Sequence, residues 1–185
     1  MNKVVTSQEE ILKTSRELIQ KRGWSAINIR SVASACGVSI GSIYNYYSSK
    51  SELITATIES IWTDIFHMGN DEMPFSDTEQ CILWIYQCIR SGDEKYPGFF
   101  TLHSLSFIQE DREDGKNRMK HAWQHVLHGI CMVIKQDPRV RPNAFTEDFT
   151  PEHFADLLFS QMLSSMIRKD FSTNTILEVI RRVLY

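Results

Sequence analysis

Apolar residues return every three or four positions along most of this chain, and strand-like alternation bounded by hairpin dipeptides is missing, so the spacing predicts an all-α fold. The pattern is interrupted at fixed places. Ser7 can cap a first helix, with Glu10 completing a capping box, and Gly23 follows the last periodic residue, Arg22. A second, short helix runs from Asn28 as cap to Cys36 and stops at Gly37, where positive φ is cheap for glycine. After the Gly-Val-Ser turn, a third short helix spans about Ile40 to Tyr46, with Ser39 as its cap. A fourth runs from Lys50 to about His67 with a broad apolar surface.

The rest of the chain continues as helices. Gly69 to Ser76, containing Pro74, is a break, and Ser76 or Asp77 can cap the next helix, which carries Ile82, Leu83, Ile85, Tyr86 and Ile89. A second break is expected at 92–97. Further helices are expected at about Pro97 to Ile108, Lys116 to Ile134, Pro151 to Arg168 and Thr173 to Leu184, with one long polar loop at 136–151. There is no Rossmann or P-loop context and no internal repeat.

Composition narrows the class. No window approaches the roughly 20 apolar residues that a membrane-spanning helix needs, and the start, with Lys3 and then Glu9 and Glu10, carries no export signal, so the expected location is the cytoplasm and no membrane partner is expected. Cys36, Cys81, Cys88 and Cys131 form no C-x-x-C pair, as expected of buried thiols in a reducing compartment. The net charge of −3 conceals an uneven distribution. Residues 1–55 hold Lys3, Lys13, Arg16, Lys21, Arg22, Arg30 and Lys50 against Glu9, Glu10, Glu17 and Glu52, a balance of +3 that leaves −6 for the remainder. A polyanion is attracted to the first third and repelled elsewhere.

Two short helices joined by a glycine-containing turn, behind a supporting helix, meet the physical requirement for placing one helix in a DNA major groove. Residues 28–47 have that form. Ala33 is small where the helices cross, Val38 and Ile43 can fill the small core, and Ser39, Ile40, Ser42 and Asn45 are left to face outward. Hydroxyl and amide groups can contact base edges, and Ile40 suits a thymine methyl. Tyr44, Tyr46 and Tyr47 offer rings and phenolic donors to phosphates. Lys50 adds charge where the free amides of the fourth helix also point outward. Periodicity alone leaves a purely structural corner as the alternative, with Tyr44 partly core and Lys50 a solvated lysine.

The stretch GWSAINIRSVASACGVSIGSIYNYYSSKSELI, Gly23 to Ile54, resembles the DNA-binding signature of TetR-family transcriptional regulators. The resemblance rests on Gly23, Trp24, Asn28, Ile29, Arg30, Ala33, Gly37, Val38, Ser39, Gly41, Ser42, Ile43, Tyr44, Tyr46, Tyr47, Lys50, Glu52 and Leu53. Asn28 and Ser42 stand where threonine is commoner and Tyr47 where phenylalanine is usual, each keeping the cap, hydroxyl or ring. The resemblance covers about residues 8–55; beyond them only helix number and length match. It implies a helix-turn-helix domain over 1–49 and a helical effector-binding and dimerisation domain over 50–185. It also implies a DNA-contacting set: Ser39, Ile40, Ser42 and Asn45 toward bases, Asn28, Tyr44, Tyr46 and Lys50 toward phosphates, with Gly41 among them.

The rear helices carry Trp62, Phe66, Trp84, Cys88, Phe100, Phe107, Trp123 and Leu127, candidates to line an apolar cavity for an apolar or amphipathic small molecule, although such stripes more often pack a core. Phe159, Met162, Met166, Ile176, Ile180 and Val183 on the last two helices are expected at a homodimer interface. His121, His125 and His128 share one helix face, and His103 could join them, yet no HExxH is present and hydrogen-bonded or solvated imidazoles explain the spacing. Neither metal nor cofactor is expected, and no catalytic constellation has the spacing of an enzyme. The expected function is a DNA-binding transcriptional regulator, a repressor released from a palindromic operator by a small molecule. The alternatives are an activator or adaptor controlled by a protein partner and a helical carrier or enzyme.

Overall fold

The computed structural model describes residues 6–66, 75–100 and 113–185, with the side chains of 113–122 outside that description. The described helices are α1 (Gln8–Arg22), α2 (Ile29–Ala35), α3 (Ile40–Tyr44), α4 (Lys50–Phe66), α5 (Thr78–Lys95), α6 (Glu113–Gln136), α7 (Pro151–Arg168) and α8 (Asn174–Leu184), and a 3₁₀ turn covers Trp24–Ala26. The all-α expectation holds. The break expected at 92–97 begins later, because α5 continues to Lys95; most of the helix expected over 97–108 lies outside the described residues.

The chain divides into two compact units. The first joins residues 1–69 to 92–99, so α4 packs with the head, against α1, and the packing boundary falls after α4 rather than at the expected residue 49. Its core is aliphatic near the front, with Ile11, Ile19, Val32, Ile43 and Leu53 buried. Local bonds hold the short helices. Ser7 Oγ accepts the Glu10 amide at 3.1 Å to start α1. Asn28 Oδ1 accepts the Ser31 N–H at 2.9 Å while the Asn28 N–H donates to Ser31 Oγ at 3.2 Å, a reciprocal cap on α2. At the other end of α2 the Val38 N–H donates to the Ala33 carbonyl and the Gly37 N–H to the Ser34 carbonyl, with Gly37 at φ 68°, the paired closure that a left-handed residue after a helix permits.

An aromatic cluster fills the far end of this unit. The Phe99 ring lies 5.2 Å from Trp62, 6.1 Å from Trp24 and 6.3 Å from Tyr96, and Trp62 stacks on Phe66 at 5.8 Å. Asp64 on α4 accepts from Lys95 Nζ at 2.6 Å and from Tyr96 Oη at 2.8 Å. Burial and the adjacent Asp64 carboxylate push the Tyr96 hydroxyl well above its ordinary pKa, so it stays a neutral donor.

The second unit comprises residues 70–91 and 100–185. Helix α6 packs on α7, where Trp123 meets Phe159 edge-on at 5.3 Å. Pro151 opens α7 beneath a reciprocal cap between Thr150 and His153, and Lys169 ends it at φ 54°. Asp137, whose carboxylate is closed to solvent, gathers three segments: it accepts from the Thr78 N–H at 2.8 Å, Thr78 Oγ1 at 2.9 Å, Tyr185 Oη at 2.6 Å and the Arg139 N–H at 3.0 Å. Arg139 lies over the Tyr185 ring at 4.1 Å and pairs with Asp77 at 2.9 Å. Burial works against the Asp137 charge, but these donors outweigh it and hold the carboxyl below its ordinary pKa.

Cys81, Cys88 and Cys131 are buried, and burial, with Asp77 nearby, pushes Cys81 up to about 12, while burial alone pushes Cys88 up to about 11. Cys36 departs from the expectation of a buried thiol, being half-buried at the C-cap of α2.

Two stability predictions follow from these anchors. Asp137→Ala strands the Thr78 and Tyr185 donors and should cost about 2–4 kcal/mol by denaturant unfolding. Because the folded-state pKa is depressed, the contribution of Asp137 is full above its unfolded value near 4 and fades as pH falls through the lower folded value, so the deficit of Asp137→Ala relative to wild type should shrink on acidification below about pH 4. Asn28→Ala should cost about 0.5–2 kcal/mol, and Asn28→Asp, which keeps the acceptor, should recover most of it.

Candidate nucleic-acid interface

The turn closed by Gly37 delivers Ser39 as the cap of α3, where its Oγ accepts the Ser42 N–H at 3.1 Å and lies 2.9 Å from Ser42 Oγ. Helix α3 buries Ile43 and turns the opposite face outward: Ser39, Ile40, Gly41, Tyr44 and Asn45 are exposed, with Ile40 at 43% and Tyr44 at 49%, while Ser42 is half-buried. An exposed isoleucine and tyrosine on a five-residue helix carry a cost in water unless something covers them. Exposed Lys50 stands at the start of α4, whose first amides have no partner within the helix.

The α4 start is more elaborate than the lysine alone suggested. Ser49 Oγ accepts the Glu52 N–H at 3.1 Å, and the Glu52 carboxylate turns back to accept the Ser48 N–H at 2.7 Å and the Ser48 hydroxyl at 2.6 Å. The only nearby carboxylate on this first turn is therefore engaged by its own chain. The spacing Ser49-x-x-Glu52 was a readable signal for this arrangement. Basic groups at Lys13, Lys21, Arg22 and Arg30 are also exposed on the head, with Arg30 in the first turn of α2.

Three residues expected at a DNA surface have other work in this fold. Tyr47 is 1% exposed and belongs to the core, and burial raises its pKa. The Tyr46 hydroxyl donates to the Thr6 carbonyl at 2.7 Å, tying the start of the chain to the end of α3; its ring remains exposed and its oxygen can still accept. Asn28 is half-buried and spends its side-chain oxygen on the α2 cap, which leaves the amide nitrogen for any outside contact.

The expected cavity residues are divided between the two units. Trp62 and Phe66 are 4% and 5% exposed and belong to the aromatic cluster of the first unit. In the second unit Cys88, Phe100 and Trp123 are buried, Trp84 packs against Phe75 at 5.1 Å, and Leu127 is half-buried; Phe107 lies outside the described residues. Two cavities lie on the last helices: a shallow depression of about 420 Å³ lined by Asn174, Thr175, Glu178, Val179 and Arg182, and a smaller one of about 150 Å³ that includes Gln161, Ser165 and Arg168.

The expected dimer residues need a similar correction. Phe159, Met162, Met166, Ile176 and Ile180 are all buried within a single chain because α7 and α8 turn these faces into the core of their own unit, and only Val183 is half-exposed. The apolar side chains that α7 does present outward are Leu157 and Ile167. His125 and His128 are exposed, the His103 and His121 side chains lie outside the described residues, and no group of metal-ligating side chains converges among the described residues. No described helix is long and apolar enough to cross a membrane.

Comparison with known proteins converges on this head. Residues 11–57 match the family model of bacterial regulatory proteins, tetR family. The nucleoid occlusion factor SlmA of Escherichia coli is 26% identical over 173 residues, covering 89% of this chain and 84% of its own. Relatives matched over shorter stretches are spanned for only 18–53% of their length. The fold is that of a putative TetR transcriptional regulator from Streptomyces avermitilis, with a TM-score of 0.65 at 16% identity over 96% of this chain and 98% of that one. It is also that of the regulator FadR from Bacillus subtilis in complex with stearoyl-CoA, with a TM-score of 0.63 at 16% identity over 88% and 86%. TetR-type regulators bind DNA and are not enzymes. Residues 11–57 thus carry the motif of the tetR family of bacterial regulatory proteins, and nearly the whole chain has the fold of TetR-type regulators.

Proposed function

We propose that this protein is a transcriptional repressor that binds a pseudo-palindromic DNA operator as a homodimer and leaves it when an apolar or amphipathic small molecule occupies the second unit. The observation that carries the DNA reading is the outward face of α3, where Ile40 and Tyr44 stand exposed beside Ser39, Ser42 and Asn45. Hydroxyls and an amide supply groove-edge contacts, and Lys50 with the α4 amides receives a phosphate.

A single five-residue helix reads few base pairs, so two heads are required, with half-sites about one helical turn apart. The outward faces of α7 and α8 are the surface we assign to the second copy: Leu157 and Ile167 on α7 and Val179 and Val183 on α8. For the effector, support comes from the FadR likeness, a protein solved with stearoyl-CoA, and from the apolar second unit. Release requires the effector to favour the DNA-incompetent state, with about 1.4 kcal/mol of coupling for each tenfold loss of DNA affinity. A second reading, a DNA-binding factor answering to a protein partner, is favoured by the near-full-length likeness to SlmA, whose name describes a nucleoid occlusion factor.

Selection of bound fragments from random duplex DNA by the purified protein, followed by titration at several salt concentrations, tests the DNA reading. A palindrome should emerge; equal affinity for all duplexes defeats sequence-specific regulation. Lys50→Ala should weaken binding to every duplex and reduce the salt slope by about 1, whereas Ser42→Ala and Asn45→Ala should change the preferred sequence more than the non-specific affinity. A ligand that raises the melting temperature and binds less tightly when operator is present identifies the effector class.

A further inference from the structure

The Tyr46 hydroxyl carries one hydrogen, and the fold has already placed it. It donates to the Thr6 carbonyl at 2.7 Å, closing a clasp between the end of α3 and the segment that leads into α1. Thr6 immediately precedes Ser7, the cap of α1, and Ile11, in the first turn and a half of that helix, is fully buried. The clasp has a flaw. Thr6 Oγ1 is shut off from solvent and has no hydrogen-bond partner among the described residues. A hydroxyl that is desolvated without a partner weakens the contact that buries it. One hydrogen bond therefore holds the clasp, and one orphaned hydroxyl opposes it.

We infer that this clasp and a DNA phosphate compete for the Tyr46 hydroxyl, so that Thr6 sets how tightly the head holds any duplex. The inference rests on the DNA reading above and deepens it. A phosphodiester oxygen can only accept a hydrogen bond. While the Tyr46 hydrogen points at Thr6, the phenolic oxygen offers a phosphate nothing but lone pairs, and two acceptors repel. The Tyr46 ring is 38% exposed, so the hydroxyl is within reach of a phosphate once it is released. Binding through Tyr46 thus draws on the unclasped fraction of the protein, and the apparent affinity falls in proportion to that fraction. Phosphates recur under every base pair, so the clasp lowers affinity for all duplexes alike and leaves sequence preference untouched.

Thr6→Val tests this directly. It keeps the shape of the side chain, removes the orphaned hydroxyl and sets an apolar group at the position that packs against Ile11, all of which tighten the clasp. The full-length protein is compared with wild type in melting temperature and in affinity for two unrelated duplexes at low salt. The melting temperature should be no lower than that of wild type and up to about 4 °C higher, with affinity about three- to tenfold weaker on both duplexes. Tyr46→Phe should also bind both more weakly, with the salt slope unchanged because no charge is lost. Adding Thr6→Val to Tyr46→Phe should then change affinity by less than about twofold, since the contested hydroxyl is gone. Unaltered or tighter binding by Thr6→Val overturns the proposal, tighter binding meaning that the clasp holds Tyr46 where DNA needs it. An equal loss from Thr6→Val in the Tyr46→Phe background overturns it too, as does Tyr46→Phe binding as well as wild type. A clearly lowered melting temperature for Thr6→Val means that the fold uses the hydroxyl, and removes the premise. Failure of the wild-type protein to bind any duplex is visible before a variant is made and overturns the DNA reading together with this one.

Discussion

The head depends on the way α2 ends. Seven residues of helix and then five are each far below the length that holds together alone in water, so neither α2 nor α3 owes its existence to propensity. The positive φ of Gly37 lets the Val38 and Gly37 amides return to the Ala33 and Ser34 carbonyls. That closure satisfies the end of α2 and aims the chain so that Ser39 can cap α3 at once. Ile43 then reaches the buried side, and Ile40, Gly41, Tyr44 and Asn45 are left on the other. The outward face of α3 is a by-product of ending one helix correctly.

A unit this small buries little apolar surface, and it makes up the deficit by recruiting chain from far away. Residues 92–99 bring Tyr96 and Phe99 into a cluster with Trp24 and Trp62, while Asp64 takes hydrogen bonds from both Lys95 and Tyr96. Helix α4 thereby belongs to the same packed body as α1, on which it lies. In the second unit a single carboxylate has a comparable part. Asp137 draws in Thr78 and Tyr185 and is sheltered by Arg139, so the start of α5, the loop after α6 and the end of α8 meet at one charged centre.

Charge separates the two roles. The first 55 residues balance at +3 and the remainder at −6, and the exposed Lys13, Lys21, Arg22, Arg30 and Lys50 put the positive share on the surface of the head. Glu52 would oppose a phosphate at the start of α4, yet its carboxylate is turned onto Ser48, which spreads its charge over two donors. The acidic remainder discourages non-specific contact with a polyanion outside the head.

Sequence determined the helices, the glycine-closed turn, the caps at Ser7, Asn28 and Ser39 and the outward set on α3, because each depends on bonds between residues three to five positions apart or on a 3.6-residue period. Its side-chain roles held where one local bond decides them and failed where distant packing does. Tyr47 looked like Tyr44 and Tyr46 until the core took it, and the Thr6 carbonyl claimed the Tyr46 hydroxyl across forty residues. Trp62 packs against Phe99 and Phe66 against Trp62 within the first unit, and Met162, Met166 and Ile180 lie buried in the interior of one chain. An apolar stripe states only that a face must be covered. Whether the cover is a neighbouring helix, a ligand or a second copy was left to tertiary structure, because it depends on which other surfaces the fold brings within van der Waals reach.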